Sequence, residues 1–286
     1  MEKIKCIICE TNEYENVLWP VASGSLVVCK RCGLYYANPR KTTSIENVRI
    51  GNTATELYEA KKLNYEGRIR EFKYILGLIN NQKLPSGKLL DIGCYEGFFL
   101  NEARFSGWEC TGIEPNIGGS NFAIKNLKLD VRQCILEKAG FEDHSFDVIT
   151  LLAVLEHIPD PKQTLIEVKR ILKRDGLLVI YVPTVPFYLN IIKSKWRMFI
   201  GDHYFFFTDY SMENLLNVAG FKLGESRYIK KTFDLDTMLA RIGDPWQPMN
   251  IGKAGVLFRR IAKAMRIDTI KMTLNLFDSK LYLASP

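Results

Sequence analysis

Seven cysteines are unevenly spread over 286 residues, and four fall in two pairs, Cys6-x2-Cys9 and Cys29-x2-Cys32. Each pair puts two thiolates on one tight turn, and Gly33 suits the second turn. Four sulfurs so arranged close a tetrahedron around Zn²⁺ and leave no open position, so the metal expected here is structural. A second constellation follows in Leu89-Leu90-Asp91-Ile92-Gly93-Cys94-Tyr95-Glu96-Gly97-Phe98, which reads as strand, glycine turn and helix. Glu114 closes the next strand, where an acid can accept hydrogen bonds from both hydroxyls of a ribose. The remaining candidates are histidines. His157 follows the fourth strand of the pattern beside Glu156, and His203 lies in an aromatic run. A neutral imidazole suits a general base near pH 7. His144 precedes its strand, on the wrong edge of the sheet. Cys94, Cys110 and Cys134 read as small buried hydrophobes.

A dinucleotide is a poor fit to the glycine turn. Its fingerprint needs three glycines in G-x-G-x-x-G, and Tyr95 and Phe98 occupy the second and third places. S-adenosylmethionine has no phosphate to cradle. It asks for the turn opened by Gly93, a helix start permitted by Gly97, and an acid such as Asp91 near its amino group. Asp91-x-Gly93-x-x-x-Gly97 resembles motif I of the class I (Rossmann-like) S-adenosylmethionine-dependent methyltransferases, and Glu114 resembles their ribose-binding acid. Phe146-Asp147-Val148-Ile149-Thr150 with Leu155-Glu156-His157-Ile158-Pro159-Asp160-Pro161 is similar to the fourth-strand motif of the ubiquinone-type O-methyltransferase branch. Leu172–Ile180, His203–Thr208 and Ala219-Gly220-Phe221 resemble the segments that follow. The likeness covers roughly residues 60–228. Cofactor contacts are expected from Asp91, Gly93, Tyr95, Gly97, Phe98, Glu114, Leu136 and Leu152, and His157, Glu156 and His203 are the catalytic candidates by residue type and position. Many members carry glycine where this chain has Tyr95. The run 32–40 also resembles zinc-ribbon methyltransferases linked to sugar or natural-product modification.

The elements that must hold these residues are legible from periodicity. Residues 1–40 read as a zinc ribbon, 41–85 as a linker and N-terminal helical cap, and 86–286 as the cofactor-binding domain. Strands are expected at Lys88–Ile92, Trp108–Ile113, Leu129–Arg132, Phe146–Leu152, Gly176–Val182 and Phe221–Tyr228, with Leu281–Leu283 last. Helices are expected at 56–82, Phe98–Ser106, Ile117–Asn126, Lys162–Lys173 and Ser211–Ala219, with a long helical stretch after Tyr228. Strands alternating with helices give an α/β fold, a doubly wound, seven-stranded, mainly parallel sheet with an antiparallel edge. Tyr65 and Arg68 are placed over the cofactor, and Phe187–Ile200 over the acceptor.

Net charge is +7, which favours no class of partner. The start of the chain shows no apolar leader, no stretch is long and apolar enough to span a bilayer, and the cysteine usage suits a reducing cytoplasm. The acceptor expected is a small molecule methylated at O or C. An RNA base is the second reading and a non-catalytic binding protein the third. The basic run Lys253–Met272 reads first as a solvated face, with contact to anionic lipid the lesser reading.

Overall fold

Short apolar runs drive the N-terminal segment into β1 (Tyr14–Val21), β2 (Gly24–Cys29) and β3 (Tyr35–Arg40), paired antiparallel in that order. The computed structural model describes residues 1–21, 24–40, 68–82, 87–193, 196, 198–199, 203–235, 253–266 and 270–286. The expected linker, Tyr65 and the first half of the 56–82 helix lie outside these. Helix α1 occupies 68–80.

The α/β pattern then runs β4 (Lys88–Ile92), α2 (Phe98–Phe105), β5 (Glu109–Ile113), α3 (Ile117–Lys125), β6 (Asp130–Arg132), β7 (Phe146–Leu152), α4 (Pro161–Ile171) and β8 (Leu172–Pro183). After it come α5 (Leu189–Ile192), β9 (Phe205–Phe206), α6 (Asp209–Val218), β10 (Lys222–Tyr228), β11 (Lys231–Asp234), α7 (Lys253–Ala264), β12 (Lys271–Leu274) and β13 (Ser279–Ser285). The main sheet has the order β10-β13-β8-β7-β4-β5-β6. β13 runs antiparallel to both neighbours, and the other paired strands are parallel. Alternation sends Leu90, Ile149, Leu178 and Tyr282 into one apolar layer with α4 and α6. Leu89, Val148, Val179 and Leu281 face the other layer, with α1 and α2. Covering both faces is what makes these strands near-continuous apolar runs.

Two expectations are corrected. The helix expected to reach Lys173 stops at Ile171, and β8 begins at Leu172. The register against β7 jumps between Phe146↔Leu172 and Val148↔Leu177, so the polar turn Arg174-Asp175 bulges out within a strand and does not precede one. Of the long helical stretch expected after Tyr228, the described residues show α7 as helix but also an antiparallel pair, β11 with β12, on either side of it in sequence; 236–252 and 267–269 lie outside the described residues.

Gly97 caps α2 with φ +76, and a Cβ there would lie 2.6 Å from Leu129 Cδ1 and 3.0 Å from Ala123 Cβ. Gly97→Ala is therefore expected to destabilise the fold by about 2 kcal/mol or more, from left-handed strain and overpacking against α3. A shift of the urea midpoint at unchanged slope measures it, and an unchanged midpoint refutes it.

Candidate active site and cysteine centre

The strand order reverses between β4 and β7, and open α/β sheets bind ligands at such a point, beyond the carboxyl ends of their strands. A cavity of about 790 Å³ lies there. Asp91, Gly93, Tyr95, Phe98, Glu114, Leu136 and Leu152 all wall it, and Gly97, by contrast, serves the packing of α2 against α3.

Asp91 ends β4 and is buried. Its Oδ1 accepts a hydrogen bond of 2.6 Å from Thr150 Oγ1 on the adjacent β7. Burial pushes its carboxyl up to about 7; the Thr150 bond opposes this and the Glu114 charge adds to it. Glu114, just past β5, is held by two backbone donors. Tyr95 N–H donates to Oε2 at 2.9 Å and Asn116 N–H to Oε1 at 2.7 Å. Burial still raises its pKa against both bonds. The glycine turn is shaped by contact. Gly93 has φ +72, and a Cβ there would fall 2.6 Å from Val154 Cγ2. The bulky Tyr95 is accommodated because its ring lies against Gly119, where a Cβ would stand 2.8 Å from Tyr95 Cδ2.

Asn116, another wall residue, was missed by sequence reasoning. Its side chain caps α3 by accepting from Gly119 N–H at 2.9 Å, and an Asn before a helical run is the signal that finds it. The far wall was largely missed as well: Glu71, Tyr181, Tyr204 and Lys231 join the expected Arg68. No sequence signal joins them, because they come from α1, β8, the start of β11 and the loop before β9.

Glu156, His157 and His203 are brought together by the fold. The two imidazole rings meet edge to face with centroids 4.6 Å apart, and His203 Nε2 lies 4.0 Å from Glu156 Oε1. Of the three, only His157 walls the cavity; Glu156 and His203 are buried behind it. His144 is exposed at the opposite end of β7. Phe187–Ile200 does not behave as a cover over the cavity in its described residues. Leu189 and Trp196 pack with Leu26, Ala37 and Phe206 beneath the N-terminal sheet. Cys94 and Cys110 have their thiols pushed up by burial, Cys110 to about 12, which keeps them protonated and inert.

At the N-terminus the ligand atoms of Cys6, Cys9, Cys29 and Cys32 all lie within 4.8 Å of one another, with Cys6 Sγ to Cys32 Sγ at 3.5 Å. Each turn is closed in the same way, by Glu10 N–H to Cys6 O and Gly33 N–H to Cys29 O. Zn–S bonds near 2.3 Å make a tetrahedron with edges of about 3.8 Å, so the donor set fits the ion.

With this geometry in hand, comparison with known proteins assigns the chain. The family model described as "Methyltransferase domain" matches residues 65–226, more than half of the sequence. The chain belongs to that family. This methyltransferase is 34% identical over 127 residues to the ubiquinone biosynthesis O-methyltransferase of Actinobacillus pleuropneumoniae serotype 7, covering 41% of this chain and 52% of the relative. The ubiquinone biosynthesis O-methyltransferase of Pasteurella multocida is 33% identical over 136 residues, covering 42% and 54%. The chain thus spans about half the length of the curated relatives it matches. Among solved structures, phosphoethanolamine N-methyltransferase 2 of Haemonchus contortus, in complex with S-adenosyl-L-methionine, superposes with a TM-score of 0.54 at 15% identity, covering 85% of this chain and 60% of that one. These likenesses fix the methyltransferase as class I in fold.

The cavity suits that family's cofactor. S-adenosylmethionine carries an ammonium and a sulfonium, and the wall at β4 and β5 presents the buried carboxyls of Asp91, Glu96 and Glu114.

Proposed function

We propose that this protein transfers the methyl group of S-adenosylmethionine to an oxygen or carbon of a small-molecule acceptor, and that its four N-terminal cysteines hold a structural Zn²⁺. One observation supports the reading: two buried acids, Asp91 near the end of β4 and Glu114 just past the adjacent β5, flank the Gly93 turn on the cavity wall. The acceptor class rests on the largely apolar walls of the cavity and on the ubiquinone biosynthesis relatives.

The bound cofactor supplies a methyl group activated on a sulfonium. Glu114 would hold the ribose hydroxyls, Asp91 and the Gly93 turn would hold the methionine end, and Leu136 and Leu152 would line the pocket for the base. Holding nucleophile and methyl in line is worth several kcal/mol by itself. His157 stands at the wall, where it would take the proton that the acceptor loses on methylation. Glu156 and His203 steady it from behind.

The Asp91 carboxyl gives a pH signature. Its pKa of about 7 in the free protein means that it is mostly protonated at pH 6 and mostly ionised at pH 8. A ligand bearing positive charge near it favours the ionised form. Affinity for S-adenosylmethionine is thus present above pH 7 and falls as pH drops, about tenfold between pH 8 and pH 6. Calorimetric titration across that range checks it; a constant Kd refutes it. His157→Ala is expected to leave the Kd within a factor of about two and to lower turnover about 10²–10⁴-fold. Full turnover on an accepted substrate removes His157 from the mechanism. No binding of S-adenosylmethionine at millimolar ligand removes the function itself.

A further inference from the structure

Helix α7 departs from what a soluble helix usually shows. Leu257, Ile261 and Met265 follow at intervals of four and Phe258 lies beside them, so the four share one face. They are 57%, 43%, 63% and 54% exposed. Across residues 257–266 only Ala262 is buried. Arg260 is exposed at the flank of that row, Lys263 on the opposite arc and Arg266 in the turn past the helix, Arg259 is half-buried, and the sequence 253–266 contains no acid. Further along the sequence, Ile270 is 51% and Met272 39% exposed at β12. The next connection adds Phe277, whose ring lies 5.8 Å from that of Phe187, 83% exposed before α5. Tyr188 Oη donates to Leu276 O and ties the two segments together.

We propose that α7 and this apolar margin dock the protein on an anionic lipid surface. The apolar row enters the boundary between headgroups and acyl chains while the flanking cations meet lipid phosphates, the arrangement of an amphipathic interfacial helix. No described helix is long and apolar enough to cross a membrane, so the contact is made in the plane of the surface. The charges argue against a second copy as the occupant, because residues 253–266 hold only cations and offer no acid to pair with those of a second helix. The apolar row argues against nucleic acid: phosphates call for cations and have no use for four large exposed side chains in line. The placement has a consequence for the site. Helix α7 is carried between β11 and β12, and Lys231, the first residue of β11, walls the cavity with its ammonium 5.9 Å from the centre of the Tyr181 ring. Because Lys231 pairs with Leu274 in the strand that carries the exposed Met272, docking through that strand would bring the cavity's far wall toward the bilayer.

The test is sedimentation of the full chain with vesicles of phosphatidylcholine alone and of equimolar phosphatidylcholine and phosphatidylglycerol. Binding is expected to the second only and to weaken between roughly 0.1 and 0.5 M salt as the screening length shortens. Phe258→Glu/Ile261→Glu and Arg260→Glu/Arg266→Glu are each expected to weaken it at least about tenfold. The altered side chains are exposed and outside the cofactor site, so S-adenosylmethionine affinity without vesicles should stay at the wild-type value and report an intact fold. Four results overturn the proposal: no preference for the anionic vesicles; unchanged binding in either variant; a concentration-dependent dimer that Phe258→Glu/Ile261→Glu abolishes; or binding of an RNA oligonucleotide that only the charge reversal abolishes.

Discussion

Glu114→Gln is expected to weaken S-adenosylmethionine binding about 100-fold while leaving the protein folded. The wild-type carboxylate uses one oxygen on Tyr95 N–H and the other on Asn116 N–H. An amide keeps one acceptor and turns two donors toward the other peptide N–H. Either the Tyr95 turn or the start of α3 loses its anchor, and the ribose hydroxyls lose charged acceptors. Hydrogen bonds to a charged group contribute about 1.5–3 kcal/mol each, and about 1.4 kcal/mol is tenfold in affinity. The fold itself loses little, because burial already works against the charge and the amide removes it. Calorimetry alongside a thermal melt separates the two effects. A Kd within threefold of wild type would show that Glu114 does not hold the ribose; a collapsed melting transition would show that it is a structural anchor first.

That Glu114 could be chosen from sequence follows from how such sheets encode themselves. β4 is buried from Leu89 onward and β5 over its last two residues, Gly112 and Ile113, and an acid at or just past the end of each buried run marks the sheet's carboxyl edge. Asp91 and Glu114 are those acids. The cysteine pairs are legible for a different reason, since a metal site fixes spacing within each turn regardless of what surrounds it.

What was not legible depends on contacts between distant segments. Gly97 looks in sequence like part of the cofactor turn, yet its need for glycine comes from Leu129 and Ala123. Thr150 reads as one more strand residue until pairing of β7 with β4 sets it against Asp91. β11 and β12 are short and polar and have a helix between them, so no turn residue announces the pair. The same holds for Phe205-Phe206, a two-residue strand that exists because β3 pairs with it, Tyr35 opposite Phe206 and Tyr36 opposite Phe205.

That last pairing makes the cysteine centre matter to the cavity. Beyond the β3–β9 ladder, Ala37 N–H donates to Tyr204 O, and Tyr204 N–H donates to Glu156 O. The Arg40 guanidinium donates through Nη1 to Pro159 O at 2.7 Å and lies 5.3 Å from the Tyr204 ring centre. Pro159 and Tyr204 both wall the cavity. Cys29→Ser is expected to lower bound zinc from one equivalent to none, since three ligands seldom hold a structural ion, and the ion's binding energy is the folding energy of so small a unit. Hydrogen exchange should then accelerate about 100-fold or more at residues 35–40 and, through the ladder, at 204–207, the counterpart of about 3 kcal/mol of lost local stability. Arg40→Ala supplies the contrast: full zinc, a protected N-terminal sheet, and faster exchange confined to the loop around Pro159 and Tyr204. Less than half an equivalent of zinc in undamaged wild-type protein would exclude the metal. Unchanged protection at 204–207 after zinc loss would show that β9 holds its place without the ribbon. If both segments loosen together, the ribbon is part of the wall of the active site, and its four cysteines and the buried acids of the α/β sheet serve one cavity.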